Sequence, residues 1–303
     1  MPKRPLCAVA LAVLVLAASA TVASAAQLEL VASIVPVGTF VERIAGDRAE
    51  VSVLVPPGAS PATYEPKPSQ MAALSRADAF FAVGVPFERV WLPRIRSAVS
   101  GLDVVDLTRG IERVPMAAEH DHDHDHATGH DHDHDNDHDN RGLDPHIWLA
   151  PPLVLTMADT ILDALIRLDP DGEAVYRANH AAFAADVRAL DQELRATLAH
   201  PEGHGRFMVY HPSWGYFARA YGLTQLPVEL EGKDPGPREL ARLIDEARDA
   251  GISVVFVSPQ FSERAAREIA ASIDGSVAVA DPLAADWAAN LRRAAAAFAK
   301  AAR

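Results

Sequence analysis

Cysteine is nearly absent from this chain: the single one among 303 residues is Cys7. Beyond it there is no thiol, no disulfide and no cysteine metal site, so any zinc site has to use histidines and carboxylates. Positive charge is also scarce. Lys and Arg number 28 against 41 Asp and Glu, for a net charge of −13, and nothing suggests the basic face that nucleic acid requires. The one apolar run of any length, Leu6–Ala18, is too short to span a bilayer well. Signatures of catalysis are missing too. There is no Gly-x-Ser-x-Gly elbow, no phosphate-binding glycine loop and no His-Glu-x-x-His pair.

Lys3 and Arg4 precede the apolar run, and Ala23-Ser24-Ala25 follows it as a small-x-small cleavage site. Residues 1–26 therefore read as a cleaved secretory signal that sends the chain across the membrane. Cys7 lies at the very start of the apolar run, ahead of nearly all of it, and is badly placed to carry a lipid. The apolar fraction of 49% suits a globular core, and the length allows one large domain or two lobes.

Histidine and aspartate are abundant in one place. From Glu119 to Asn140 the chain alternates them, with His120, His122, His124, His126, His130, His132, His134 and His138 among eight aspartates. With Ala127 as its only apolar residue, this run cannot bury enough surface to offset its ordering entropy and reads as a disordered loop. Neutral imidazole suits zinc, copper and nickel, and carboxylates add oxygen donors. A flexible run binds metal weakly and without fixed geometry, so it marks what the protein handles rather than the specific site.

Around the run, short apolar segments alternate with helical patterns. Strands are expected at Leu28–Val35, Ala49–Val55, Ala79–Val83 and Leu102–Leu107. Helices are expected at Thr39–Ala45 after a turn at Pro36-Val37-Gly38, at Ser69–Ser75 and at Trp91–Val99. A helix over Pro151–Leu168 and a long one from Glu173 to about Leu198 follow. The pattern then restarts, with strands at Arg206–Tyr210, Leu226–Leu230, Ser253–Val257 and Ser276–Ala280, and a closing helix from Trp287. The fold class is α/β: two similar lobes, each a parallel sheet flanked by helices, joined by one long helix with a cleft between them. The divisions are an N-terminal lobe over 27–170, a linking helix over 171–200 and a C-terminal lobe over 201–303.

Five histidines lie outside the run. His180 sits in the long helix, and His200 and His204 in a polar turn. His211 directly follows a strand, as Asp281 follows another, and His146 lies in a Pro-flanked loop. Ligands of open α/β sheets gather at the carboxyl ends of strands. His146, His211 and Asp281 are therefore candidates to converge on a metal, although a strand-end His or Asp taken singly is more often a turn or cap residue. A two-His, one-carboxylate site with open positions also admits a zinc-dependent hydrolase.

Several segments in order carry a resemblance. They are Pro56-Pro57-Gly58-Ala59-Ser60-Pro61 with Thr63-Tyr64-Glu65-Pro66; Asp144-Pro145-His146-Ile147-Trp148-Leu149; and His211-Pro212-Ser213-Trp214-Gly215-Tyr216-Phe217. Glu231-Gly232-Lys233-Asp234-Pro235, Ser258-Pro259-Gln260-Phe261 and Asp281-Pro282-Leu283 complete the set. Over almost all of the mature chain the sequence resembles the solute receptors of zinc and manganese ABC importers, specifically the periplasmic zinc-uptake type.

The resemblance implies a non-enzymatic receptor that captures Zn²⁺ in an interlobe cleft and delivers it to an inner-membrane ABC permease, as a monomer, with a periplasmic metallochaperone as a further possible partner. It implies His146, His211 and Asp281 as ligands. Where the family usually carries a first histidine, this chain has Ala62, and methyl cannot ligate. Water, a run histidine, Glu65 or Tyr64 then completes the site, and Mn²⁺ becomes a plausible cargo beside Zn²⁺. A zinc buffer or metallochaperone in which the run does most of the binding is the competing reading.

Overall fold

The computed structural model describes residues 27–116, 142–199, 205–229 and 233–301. The expected signal, the His/Asp run, and His200 and His204 lie outside these residues. Two four-stranded parallel sheets form. The first joins β1 (Leu28–Ile34), β2 (Ala49–Val55), β3 (Ala79–Ala82) and β4 (Asp103–Asp106) in the order β2-β1-β3-β4. The second joins β5 (Arg206–Val209), β6 (Thr224–Pro227), β7 (Val254–Val257) and β8 (Ser276–Val279) in the matching order β6-β5-β7-β8. Parallel neighbours need a crossover between them. In the first sheet α1 (Val35–Ala45), α2 (Pro68–Leu74) and α3 (Pro86–Ala98) supply it, and in the second α6 (Gly215–Tyr221), α7 (Pro237–Asp249) and α8 (Arg264–Ser272). Each sheet ends in a further helix, α4 (Pro151–Leu168) after the first and α9 (Trp287–Ala301) after the second.

The central strands explain why the apolar runs are continuous rather than alternating. β1 lies between two neighbours and is covered on both faces, so all its residues but Glu29 are buried. In β5 the alternation is still visible. Phe207 and Val209 face a core shared with the first sheet, and Met208 and Tyr210 face a second core over α7 and α8. The shared core is continuous through α5 (Glu173–Thr197), which buries Tyr176, Phe183, Val187, Leu190 and Leu194. At ~1.5 Å per residue this helix of 25 residues is about 37 Å long, enough to pass from one sheet to the other. Phe298 of α9 stands at the junction. Its ring stacks on Phe207 at 4.1 Å and meets Phe256, Trp214 and Phe217 edge-on at 4.7, 5.1 and 5.7 Å.

Three elements depart most from the sequence expectation, each for a local reason. α1 begins at Val35, so Pro36 opens the helix instead of breaking it; proline is accepted in a first turn, where its missing N–H costs nothing. Gly38 lies within that helix because a Cβ there would sit 2.8 Å from Val53 Cγ2. α3 likewise starts at Pro86, five residues before its apolar pattern becomes clear, and tolerates Pro93 inside. β6 begins two residues early at Thr224, because the polar Gln225 is buried, with its Oε1 accepting Trp214 N–H at 2.7 Å. Among the described residues no helix is long and apolar enough to cross a membrane.

Candidate metal centre

The carboxyl ends of both sheets open toward one narrow cavity of about 50 Å³. Its wall includes Ala62 from beyond β2, His146 from beyond β4, His211 from beyond β5, and Pro282 and Leu283 from beyond β8. The repeated strand order accounts for this. Asp281 follows the last strand of the second sheet, as His146 lies after the last strand of the first.

His146 and His211 come together across the cleft, with ring centroids 5.3 Å apart and planes at 74°. Each Nδ1 is taken by a buried carboxylate. His146 Nδ1 lies 2.7 Å from Asp144 Oδ1, which also accepts the backbone N–H of His146 at 2.9 Å. Asp144 is held tightly in turn, since a Cβ on Gly215 would sit 2.8 Å from its Oδ2. His211 Nδ1 lies 3.2 Å from both Oε1 and Oε2 of Glu229, and its ring stacks on Phe261 at 4.6 Å. A ring whose Nδ1–H is donated in this way leaves Nε2 as the free lone pair, the arrangement that metal-binding imidazoles adopt. Burial pushes the His146 pKa down against the pull of Asp144, which keeps the ring neutral and able to donate its lone pair.

Asp281 is placed differently. Its Oδ1 accepts from Gln260 Nε2 at 3.0 Å and from the Leu283 N–H at 2.9 Å, and its neighbours rather than its own side chain line the cavity. Among the described residues no three His, Cys, Asp or Glu side chains form a ready metal cluster. The structure thus brings two of the three expected ligands together and holds the third beside them. Ala62 lines the cavity, at the place where the family's first histidine is expected. Tyr64 donates to Gln70 Oε1 at 2.7 Å, Glu65 is exposed, and neither is among the lining residues. His180 pairs with Asp159 on the outer surface at 2.8 Å.

Two links tie the walls together. Trp148, two residues past His146, donates its indole N–H to Pro282 O at 2.7 Å, and Trp287 donates to Trp148 O at 2.8 Å. The segment that holds the His/Asp run leaves and rejoins the fold at the cavity rim. Met116 lines the cavity, and Pro115 pairs with Leu143 in an antiparallel bridge. Sequence reasoning missed Asp144, Glu229 and Gln260 as side chains that hold ligand candidates. Asp144 was signalled by its i, i+2 spacing to His146. Glu229 was signalled only by its place opposite His211 once the strands are paired.

The sequence profile of the family described as zinc-uptake complex component A, periplasmic (ZnuA), matches residues 30–301. The chain is 37% identical over 285 residues to the high-affinity zinc uptake system protein ZnuA of Paracoccus denitrificans, covering 87% of this chain and 86% of that protein. It is 32% identical over 233 residues to the manganese-binding lipoprotein MntA of Halalkalibacterium halodurans, covering 76% and 70%. A crystal structure of ZnuA superposes with a TM-score of 0.81 at 41% identity, covering 91% of this chain and 100% of that one. A zinc-bound deletion mutant of ZnuA superposes at 0.80, also at 41% identity, covering 91% and 98%.

Proposed function

Because the chain belongs to the family of periplasmic zinc-uptake components, we propose that it captures Zn²⁺ between its two sheets and delivers it to an inner-membrane ABC permease. The family consists of substrate-binding receptors of ABC importers, not enzymes. The observation that carries the reading is the pair His146 and His211, brought from different sheets to 5.3 Å, each with Nδ1 on a buried carboxylate. Two imidazoles at a largely apolar cavity wall suit Zn²⁺, which takes nitrogen readily and completes a tetrahedron with oxygen.

In this reading Asp281 supplies the third donor through Oδ2, since Oδ1 is occupied by Gln260 and Leu283. Water fills the position left by Ala62. The histidines His120, His122, His124, His126, His130, His132, His134 and His138 gather zinc near the rim where their segment joins the fold, and Glu65 is an outlying donor. Residues 1–26 are a cleaved signal, 27–170 and 201–303 are the lobes, and 171–200 link them in a periplasmic monomer that a metallochaperone can load.

Zn²⁺ titration of the mature protein, of a variant lacking 119–140 and of His211→Ala tests this. One tight site is expected that survives deletion of the run and is badly weakened by His211→Ala. Loss of all tight binding on deleting the run would replace the receptor with a zinc buffer. Competition with Mn²⁺ decides the cargo; preference for Mn²⁺ would move the assignment toward the manganese-binding relative.

A further inference from the structure

Glu229 is 4% exposed, and His211 is its only side-chain partner among the described residues. Its position is set by strand register. The last paired residues of β5 and β6 are Val209 and Pro227. The ladder runs on past them: Val228 N–H donates to Val209 O at 2.8 Å and Glu229 N–H to Tyr210 O at 2.9 Å. Two residues past Val209 is His211, and two past Pro227 is Glu229. Partners in a parallel ladder project to the same face, so the carboxylate is delivered beside the imidazole.

This location is costly for an isolated protein. A buried carboxylate whose one side-chain partner is an imidazole gains little hydrogen bonding against a large loss of hydration. Asp144 differs, because it also accepts a backbone N–H and shapes its own loop. No described contact gives Glu229 such a second duty for its side chain. A divalent cation on the far nitrogen of His211 would polarise the ring and supply the positive charge that the carboxylate lacks.

We propose that Glu229 is the positioning residue for metal capture. It holds His211 Nδ1–H so that Nε2 faces the cavity, and its charge favours a divalent cation there. The ring is then fixed on two sides, by the carboxylate at Nδ1 and by Phe261 on its face. The inference rests on His211 being a metal ligand and adds a residue that no expectation from sequence included.

The test is a double-mutant cycle on the mature protein, with Zn²⁺ affinity read by competition with a chromophoric chelator and the Co²⁺ visible spectrum as a report on ligand geometry. Glu229→Ala is expected to weaken Zn²⁺ binding about 10–100-fold, the usual loss when a ligand's outer partner is removed. It is also expected to alter the Co²⁺ bands. In a His211→Ala background the same change is expected to have less than about a twofold effect. Glu229→Gln is nearly isosteric and keeps an acceptor without the charge. It guards against a folding defect and is expected to lie between wild type and Glu229→Ala. Equal losses in both backgrounds, or wild-type affinity and Co²⁺ bands in Glu229→Ala, would overturn the role of Glu229 alone. Wild-type affinity in His211→Ala would overturn the ligand assignment, and the proposal with it.

Discussion

Glu88 allows a sharp test of how burial sets the chemistry of the first lobe. It lies in the first turn of α3 and is 2% exposed. Oε1 accepts Val83 N–H at 3.1 Å and Oε2 accepts Gly84 N–H at 2.8 Å. Burial pushes its pKa from 4.5 up to about 7, more than the two backbone donors pull it down, and Asp106 adds to the rise. Well below pH 4.5 the carboxyl is neutral both folded and unfolded. As pH rises from there toward about 7 the unfolded chain ionises first, and stability is lost. The loss approaches ~3 kcal/mol above pH 7, and roughly 2–3 kcal/mol of it falls between pH 5 and pH 8.

Glu88→Gln removes the titration. It also turns an amide NH₂ toward one of the two backbone N–H groups, a cost of about 1–3 kcal/mol at every pH. The informative quantity is therefore the difference in pH dependence, not the stability at one pH. Urea unfolding of both proteins, metal-free in chelator and followed by tryptophan fluorescence, is expected to show the variant gaining on wild type by roughly 2–3 kcal/mol from pH 5 to pH 8. Other titrating groups are common to both proteins and cancel. Parallel pH profiles, or a variant that gains as pH falls, would refute the reasoning. The site bears on the proposed function because the Val83–Gly84 segment leads into Val85 and Pro86, which line the cavity between the sheets.

Other outcomes are expected nearer the cleft. Ala62→His places an imidazole at the cavity wall and should tighten Zn²⁺ by at least about tenfold by displacing water from an open site; unchanged affinity in chelator competition would put that wall away from the metal. Gly215→Ala brings a Cβ to 2.8 Å from Asp144 Oδ2. Zn²⁺ affinity should fall on the order of tenfold through His146 while the unfolding midpoint holds, and a variant that binds normally would show that Asp144 does not steer its histidine. Phe298→Ala empties the aromatic junction between the sheets and should cost about 3–5 kcal/mol in urea unfolding; a cost below about 1 kcal/mol would mean the lobes do not share a core there.

Much of the architecture was legible in the chain. Leu28–Ile34, Ala49–Val55 and Arg206–Val209 are short apolar runs, and their alternation with helical periods pointed to two parallel sheets and a long joining helix. Period is a local property, set by which side chains a strand or helix must bury, so a window of residues reveals it. The boundaries that were missed involve residues with two local uses. Pro36 opens a helix where a turn was expected, Pro86 opens one expected to start at Trp91, and the polar Gln225 sits inside a strand with its Oε1 accepting the Trp214 N–H.

For the site, the sequence determined the candidates and the tertiary structure decided their relations. His211 and Asp281 stood out because each directly follows a strand, His146 because it lies in a Pro-flanked loop, and Ala62 because it stands where the resemblance expects a histidine. Only the folded chain shows that the two histidines meet at 5.3 Å, that Asp281 is held aside by Gln260, and that Glu229, 18 residues from His211, supports it from behind. Those facts depend on strand register and close packing between segments far apart in sequence. Neither leaves a trace in local composition, so the donor types were readable from the chain while their geometry was not.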